Sequence, residues 1–205
     1  MNMIEKIIIE SDYYSAEYNE ENMSQIIHER KLFSFYNTNY KVSWSVNDKV
    51  YSLSEEKVKH HVLPKWDGIA FIKSYKQIEV FNTDRSLRFA IPVPTNMIQI
   101  DDYINNYSNI KDDNGALKHI NMWFDNPKDY KIAFMGFTDF YEYNGKKYLG
   151  LNIALFNKGE FTRDVCGYGQ VRYLNPETGE FLPFTKSISF FVPNHHGYNE
   201  FVINL

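Results

Sequence analysis

Polar and apolar residues alternate with period two along much of the chain. The cleanest run sets Tyr40, Val42, Trp44 and Val46 against Lys41, Ser43 and Ser45. Such alternation predicts a strand with one buried face. Asn47-Asp48, a pair that tolerates left-handed backbone, then leads into residues 49–53 as the return arm of a hairpin. A second hairpin is predicted from residues 140–143, the turn Asn144-Gly145 and residues 146–156, where Leu149, Leu151, Ile153 and Leu155 share one face. Asn-Gly is the strongest two-residue hairpin signal, because both positions accept positive φ. Further strands are expected at 3–9, 68–73, 76–81, 87–91, 119–124, 130–135, 169–174, 188–192 and 200–205. Strands that recur every eight to twelve residues or so describe an all-β chain of antiparallel meanders, either propeller-like or a two-sheet sandwich. Val42, Trp44, Val46, Leu151, Ile153 and Leu155 are its expected core.

Two stretches depart from that period. Ile100, Tyr103, Ile104 and Tyr107 fall at i, i+3, i+4 and i+7, which predicts a short amphipathic helix over 98–109, after the Pro92-Val93-Pro94 stop. Met23, Ile26 and Ile27 suggest a second helix over 17–30. Asp112-Asp113-Asn114-Gly115 reads as a loop, and the region 110–117 is the candidate division between two sheets of one domain of 205 residues. Ile69-Ala70-Phe71 recurs as Ile132-Ala133-Phe134, each followed by a turn and another strand, as in a repeated meander.

Composition supports the β reading, since β-branched and aromatic residues, including 16 Tyr and 16 Phe, greatly outnumber Ala and Leu. That apolar stock excludes global disorder, and no apolar run approaches the roughly 18 residues of a membrane span. The segment MNMIEKIIIESD carries Glu5 and Lys6 within its apolar stretch and has no small-residue cleavage site, so a secretory signal is not expected. With Cys166 as the single cysteine, the expectation is a cytoplasmic protein with no membrane partner.

Net charge is −4, and Glu5, Glu10, Asp12, Glu17, Glu20, Glu21 and Glu29 face only Lys6 and Arg30 within the first 30 residues. An acidic surface disfavours nucleic acid and suits a basic protein. Asp12, Tyr13, Tyr14, Glu17, Tyr18, Glu20 and Glu21 combine charge with the aromatics that anchor interfaces, and are the candidate partner-binding residues. The plainer reading of the same residues is a solvated cap.

Catalytic chemistry finds little footing. His60-His61 and His195-His196 are adjacent pairs, and neighbours on a strand point to opposite faces, so neither suits a zinc site. Cys166 reads as a buried thiol, and the segment 167–172 has Arg172 where a dinucleotide loop needs its third glycine. Asp139 and Glu142 form a carboxylate pair of a kind that 26 acids produce freely. The expectation is a protein that is not an enzyme and needs neither cofactor nor metal. Asn175-Pro176-Glu177-Thr178-Gly179-Glu180 is a turn, with Pro fixing φ and Gly permitting a positive one.

Three stretches resemble a group of small bacterial proteins from polymorphic-toxin and contact-dependent inhibition loci. The first runs from Lys65-Trp66-Asp67-Gly68-Ile69-Ala70-Phe71 to Arg88-Phe89-Ala90-Ile91-Pro92-Val93-Pro94. Asn121-Met122-Trp123-Phe124-Asp125-Asn126 and the segment 172–181 complete the set. The resemblance implies an all-β immunity protein that neutralises a cognate toxin, often a nuclease, by binding it in the cytoplasm. The acidic N-terminal region would suit a basic toxin domain. A carbohydrate-binding β module is the competing reading, resting on the surplus of Tyr and the three Trp.

Overall fold

The computed structural model describes residues 3–11, 14–19, 21, 39–56, 59–95, 97–98, 130–157, 167–194 and 197–204. These residues form three antiparallel sheets and no helix. The first sheet holds β1 (Lys6–Ser11), β2 (Tyr14–Tyr18), β3 (Asn39–Val46) and β4 (Lys49–Glu56), in the order β2-β1-β3-β4. The second is a meander of β5 (Lys59–Val62), β6 (Gly68–Lys73), β7 (Gln77–Asn82) and β8 (Leu87–Pro92). The third is a longer meander of β9 (Tyr130–Tyr143), β10 (Lys146–Asn157), β11 (Gly167–Leu174), β12 (Ser187–Asn194) and β13 (Gly197–Asn204). The all-β antiparallel class is therefore the one expected, with three sheets where the sandwich reading counted two.

Asn47 and Asp48 take φ of 49° and 63°, and Asn144 and Gly145 take 51° and 70°. Both hairpins thus use the doubly left-handed turn whose twist matches that of the strands. The six expected core residues are all buried, Trp44 to 1% exposure. Its indole still finds a partner, since Nε1 donates to the Thr83 carbonyl at 2.7 Å.

The second sheet is apolar on both faces. Ile69 and Phe71 of β6 join Val62 and Trp66 against Ile7, Ile9, Val42 and Trp44 of the first sheet. Ala70 and Ile72 point the other way and, with Ile78 and Val80, pack against Phe134, Phe137, Leu149 and Leu151 of the third. A strand covered on both sides needs no polar alternation, which is why β6 reads Gly-Ile-Ala-Phe-Ile-Lys.

β9 is one strand of 14 residues where the sequence suggested two pieces. Its register against β10 shifts twice, between Tyr148 and Gly150 and between Asn152 and Ile153. The shifts turn Phe134 and Phe137 into one core with Phe140 packed beside them, a spacing of three that simple alternation cannot bring to one face.

The helix expected over 17–30 fails at its start. Glu17 and Tyr18 close β2, paired with Ile8 and Ile7 of β1. Cross-strand pairing and the burial of Tyr18 against the first sheet outweigh the weak helical pattern. Ile98, where the other helix was to begin, is irregular backbone held by Gln170, whose Oε1 accepts from the Ile98 amide at 2.9 Å. The remainder of both predicted helices, apart from Asn19 and Glu21, lies outside the described residues, as do the strand at 119–124 and the division at 110–117. No helix among the described residues is long and apolar enough to cross a membrane.

Candidate functional site

The acidic N-terminal surface is only partly assembled on the first sheet. Glu17 is exposed and pairs with Lys6 at 3.3 Å, and Glu10 pairs with Lys41, its direct neighbour in the β1–β3 ladder, also at 3.3 Å. Each of these carboxylates thus has a lysine beside it. Glu21 is exposed, in a turn whose amide is held by the Asn19 side chain. Tyr18 corrects the expectation of a surface anchor. It is 3% exposed, its hydroxyl lies 3.0 Å from His60 Nε2, and its ring meets Trp66 edge-on. The reason is parity: on β2, Glu17 faces outward, which turns Tyr18 into the core. Tyr14 pairs with Ser11 in the β1–β2 ladder, and Asp12, Tyr13 and Glu20 lie outside the described residues.

The neighbouring histidines of β5 serve opposite cores. His60 packs between Tyr18 and Phe71, while His61 lies between Phe137 and Phe140 with its Nδ1 at 2.7 Å from the Val62 carbonyl. Burial drives both below the ordinary 6.5, His60 to about 3 with the adjacent His61 adding to the effect. For His61 the Val62 carbonyl and Asp139 oppose part of the shift. Because the folded values are depressed, the unfolded chain takes up more protons as soon as pH falls below about 6.5. The stability contributed by His60 is complete above that pH and declines from there toward 3, by up to about 1.4 kcal/mol per pH unit, and His61 acts in the same direction. Denaturant midpoints measured between pH 7.5 and 5 should therefore fall, and His60→Phe should flatten the slope. An unchanged midpoint over that interval would exclude neutral buried histidines.

Two of the three stretches that carry the family resemblance, 65–94 and 172–181, meet at one largely buried polar junction. Arg88 Nη2 bonds the Asp67 carboxylate at 3.1 Å and the Asp67 carbonyl at 3.0 Å, Nη1 donates to the Pro176 carbonyl at 3.1 Å, and Nε donates to Asn82 Oδ1 at 2.8 Å. Lys65 and Glu177 form an exposed ion pair at its rim. The turn that presents Pro176 is built as its residues suggest. Asn175 Oδ1 accepts from the Glu177 amide at 2.9 Å, and Gly179 takes φ of 77°. These residues clamp the second sheet to the third. The segment 121–126 lies outside the described residues.

An aromatic ridge that the sequence reading did not assemble stands on the outward face of the third sheet. Leu149, Leu151 and Ile153 turn inward, so the partners of Tyr148 and Lys146 across the hairpin, Tyr141 and Tyr143, turn outward. Tyr141 stacks on Tyr173 of β11 at 4.3 Å between centroids and lies nearly parallel to Tyr143 at 6.4 Å. Phe184, from the segment between β11 and β12, meets Tyr143 edge-on at 5.2 Å. Lys186 places its ammonium 5.8 Å from the Phe184 ring centre. Burial pushes the Tyr173 phenol up, and a hydrogen bond with the Lys186 backbone opposes this in part. Tyr143 remains 38% exposed at the open end of the stack, beside the exposed Lys146. Gly150 keeps the floor of this face flat, because a Cβ there would lie 2.0 Å from Thr138 Oγ1.

Among the described residues no group of three His, Cys, Asp or Glu is placed to hold a metal ion. Comparison of the chain with protein-family models, with curated proteins and with solved structures finds no match.

Proposed function

We propose that the chain is an immunity-type inhibitor that binds a cognate toxin protein in the cytoplasm and neutralises it by covering a working surface. The aromatic ridge, in which exposed Tyr143 and half-buried Tyr141 and Phe184 are backed by the buried Tyr173, is the observation that carries this reading. Tyrosines held by their neighbours offer large contact area at small entropic cost, and such residues dominate the energetics of protein interfaces. The inhibitor role itself is suggested by the family resemblance, which also points to a nuclease as the toxin class. The carbohydrate reading has less support. A sugar platform needs ring faces open to solvent, whereas Tyr141 spends its faces on Tyr173 and Tyr143.

The test is co-production with a toxin domain encoded beside the gene. Wild-type chain should restore growth, and Tyr143→Ala combined with Phe184→Ala should abolish protection while the unfolding midpoint stays close to that of the wild type. Growth arrest in the presence of folded wild-type chain would remove the inhibitor reading. Protection that survives the double substitution would move the contact away from the ridge, with Glu17, Glu20 and Glu21 the next residues to reverse to Lys.

A further inference from the structure

The charges that border the ridge point to the sign of what it binds. Lys146 stands directly across from Tyr143 in the β9–β10 ladder and is exposed. Lys186, also exposed, places its ammonium over the Phe184 ring. One ammonium thus lies over Phe184, and a second exposed lysine is the cross-strand neighbour of Tyr143. Glu142, the chain neighbour of Tyr143, alternates to the other face of β9, and Glu177, which is within electrostatic reach of Lys146, is also ion-paired with Lys65. Within a chain of net charge −4, this is a local cationic margin around an aromatic surface.

We infer that the ridge docks an acidic segment of a protein partner, with carboxylates set against Lys146 and Lys186 and an apolar or aromatic side chain seated between them on Tyr143 and Phe184. The inference rests on the reading of the ridge as a binding surface, and it names the chemistry of the occupant. A single-stranded nucleic acid would also present negative charge. It would need open ring faces for its bases and a longer basic track, and here the best-held ring, Tyr141, has its faces stacked on other tyrosines. Carboxylates on a peptide require only the two exposed lysines, and a hydrophobic side chain between them needs only the exposed edge of Tyr143.

Three probes of known composition test it by NMR titration of the full chain: the peptide Asp-Glu-Trp-Asp-Glu, its neutral counterpart Asn-Gln-Trp-Asn-Gln, and a ten-residue oligothymidylate. The expected result is that the acidic peptide shifts the amides of 141–148, 173 and 184–186. It should bind at least about threefold more tightly than the neutral peptide at low salt, the scale expected of exposed charge pairs. The preference should vanish at high salt and in Lys146→Glu combined with Lys186→Glu. Equal binding of the two peptides, shifts confined to another surface, or tighter binding of the oligonucleotide would each overturn the inference. The inhibitor reading is judged separately by growth. Protection that survives the double lysine reversal sinks the acidic segment and leaves the inhibitor intact. Preference for the acidic peptide without protection does the opposite.

Discussion

Arg88→Ala is expected to destabilise the chain by about 3 to 5 kcal/mol, the cost of leaving one partner of a buried ion pair unpaired. Asp67 is 6% exposed, and its carboxylate and carbonyl both take hydrogen bonds from the same guanidinium nitrogen. Removing the guanidinium strands that carboxylate and also frees the Pro176 carbonyl and Asn82 side chain that the other nitrogens hold. Arg88→Lys should recover little, because a single ammonium cannot span four acceptors set around a planar fork. Arg88→Ala with Asp67→Asn should be less harmful than the sum of the two, since no charge is then left behind. Denaturant melts of the wild type, the three single variants and the double variant check this. A loss below about 1 kcal/mol for Arg88→Ala would mean that the junction is solvated in practice.

Gly68→Ala is expected to be as severe or worse. A Cβ at this position would lie 2.2 Å from the Phe81 carbonyl oxygen and 2.9 Å from Leu63 Cδ1. The first of these is backbone in β7, which pairs with β6 through Ile69 and Phe81. Relief would require separating two strands of the sheet that feeds both cores, so the cost should reach or exceed the roughly 3 kcal/mol upper range of ordinary overpacking. The chain should lose its cooperative unfolding transition or fail to accumulate in soluble form. Gly145→Ala is the contrasting substitution. It has open space around its Cβ but a φ of 70°, so only the conformational penalty of about 1 to 2 kcal/mol applies. If Gly68→Ala melted no lower than Gly145→Ala, the close approach of β6 and β7 would be wrong.

The hairpins at Asn47-Asp48 and Asn144-Gly145 were legible because their residues have a chemical preference for positive φ. Ser74 and Tyr75 have none, yet take 48° and 61° between β6 and β7, forced there by the pairing of two buried strands. The double shift of β9 was hidden for a related reason. Phe134, Phe137 and Phe140 share an environment only after the ladder slips, and no residue pattern in β9 or β10 alone announces the slip. The opposed histidines of β5 obey the strand parity stated for adjacent residues, although no strand was expected at 59–62. Tyr18 was misplaced because charge and aromatic content were read as a cluster without parity along β2. The ridge went unnoticed for want of tertiary contacts, as Tyr141, Tyr173 and Phe184 are far apart in the chain. A local signal did exist, since two tyrosines alternate opposite Lys146 and Tyr148 on the face of the hairpin that Leu149, Leu151 and Ile153 leave outward.

The doubly covered second sheet also sets an order on synthesis. A nascent chain that has released β1–β8 can already close the core between the first two sheets. It then carries Ala70, Ile72, Ile78 and Val80 with nothing from β9–β11 to cover them. Until Phe134, Phe137 and Leu151 emerge, that slab is a sticky surface on the ribosome, open to chaperones and to aggregation with its own kind. Slow translation across the stretch between β8 and β9 lengthens that exposure, so the yield of this protein in a cell should depend on elongation speed there as much as on its final stability.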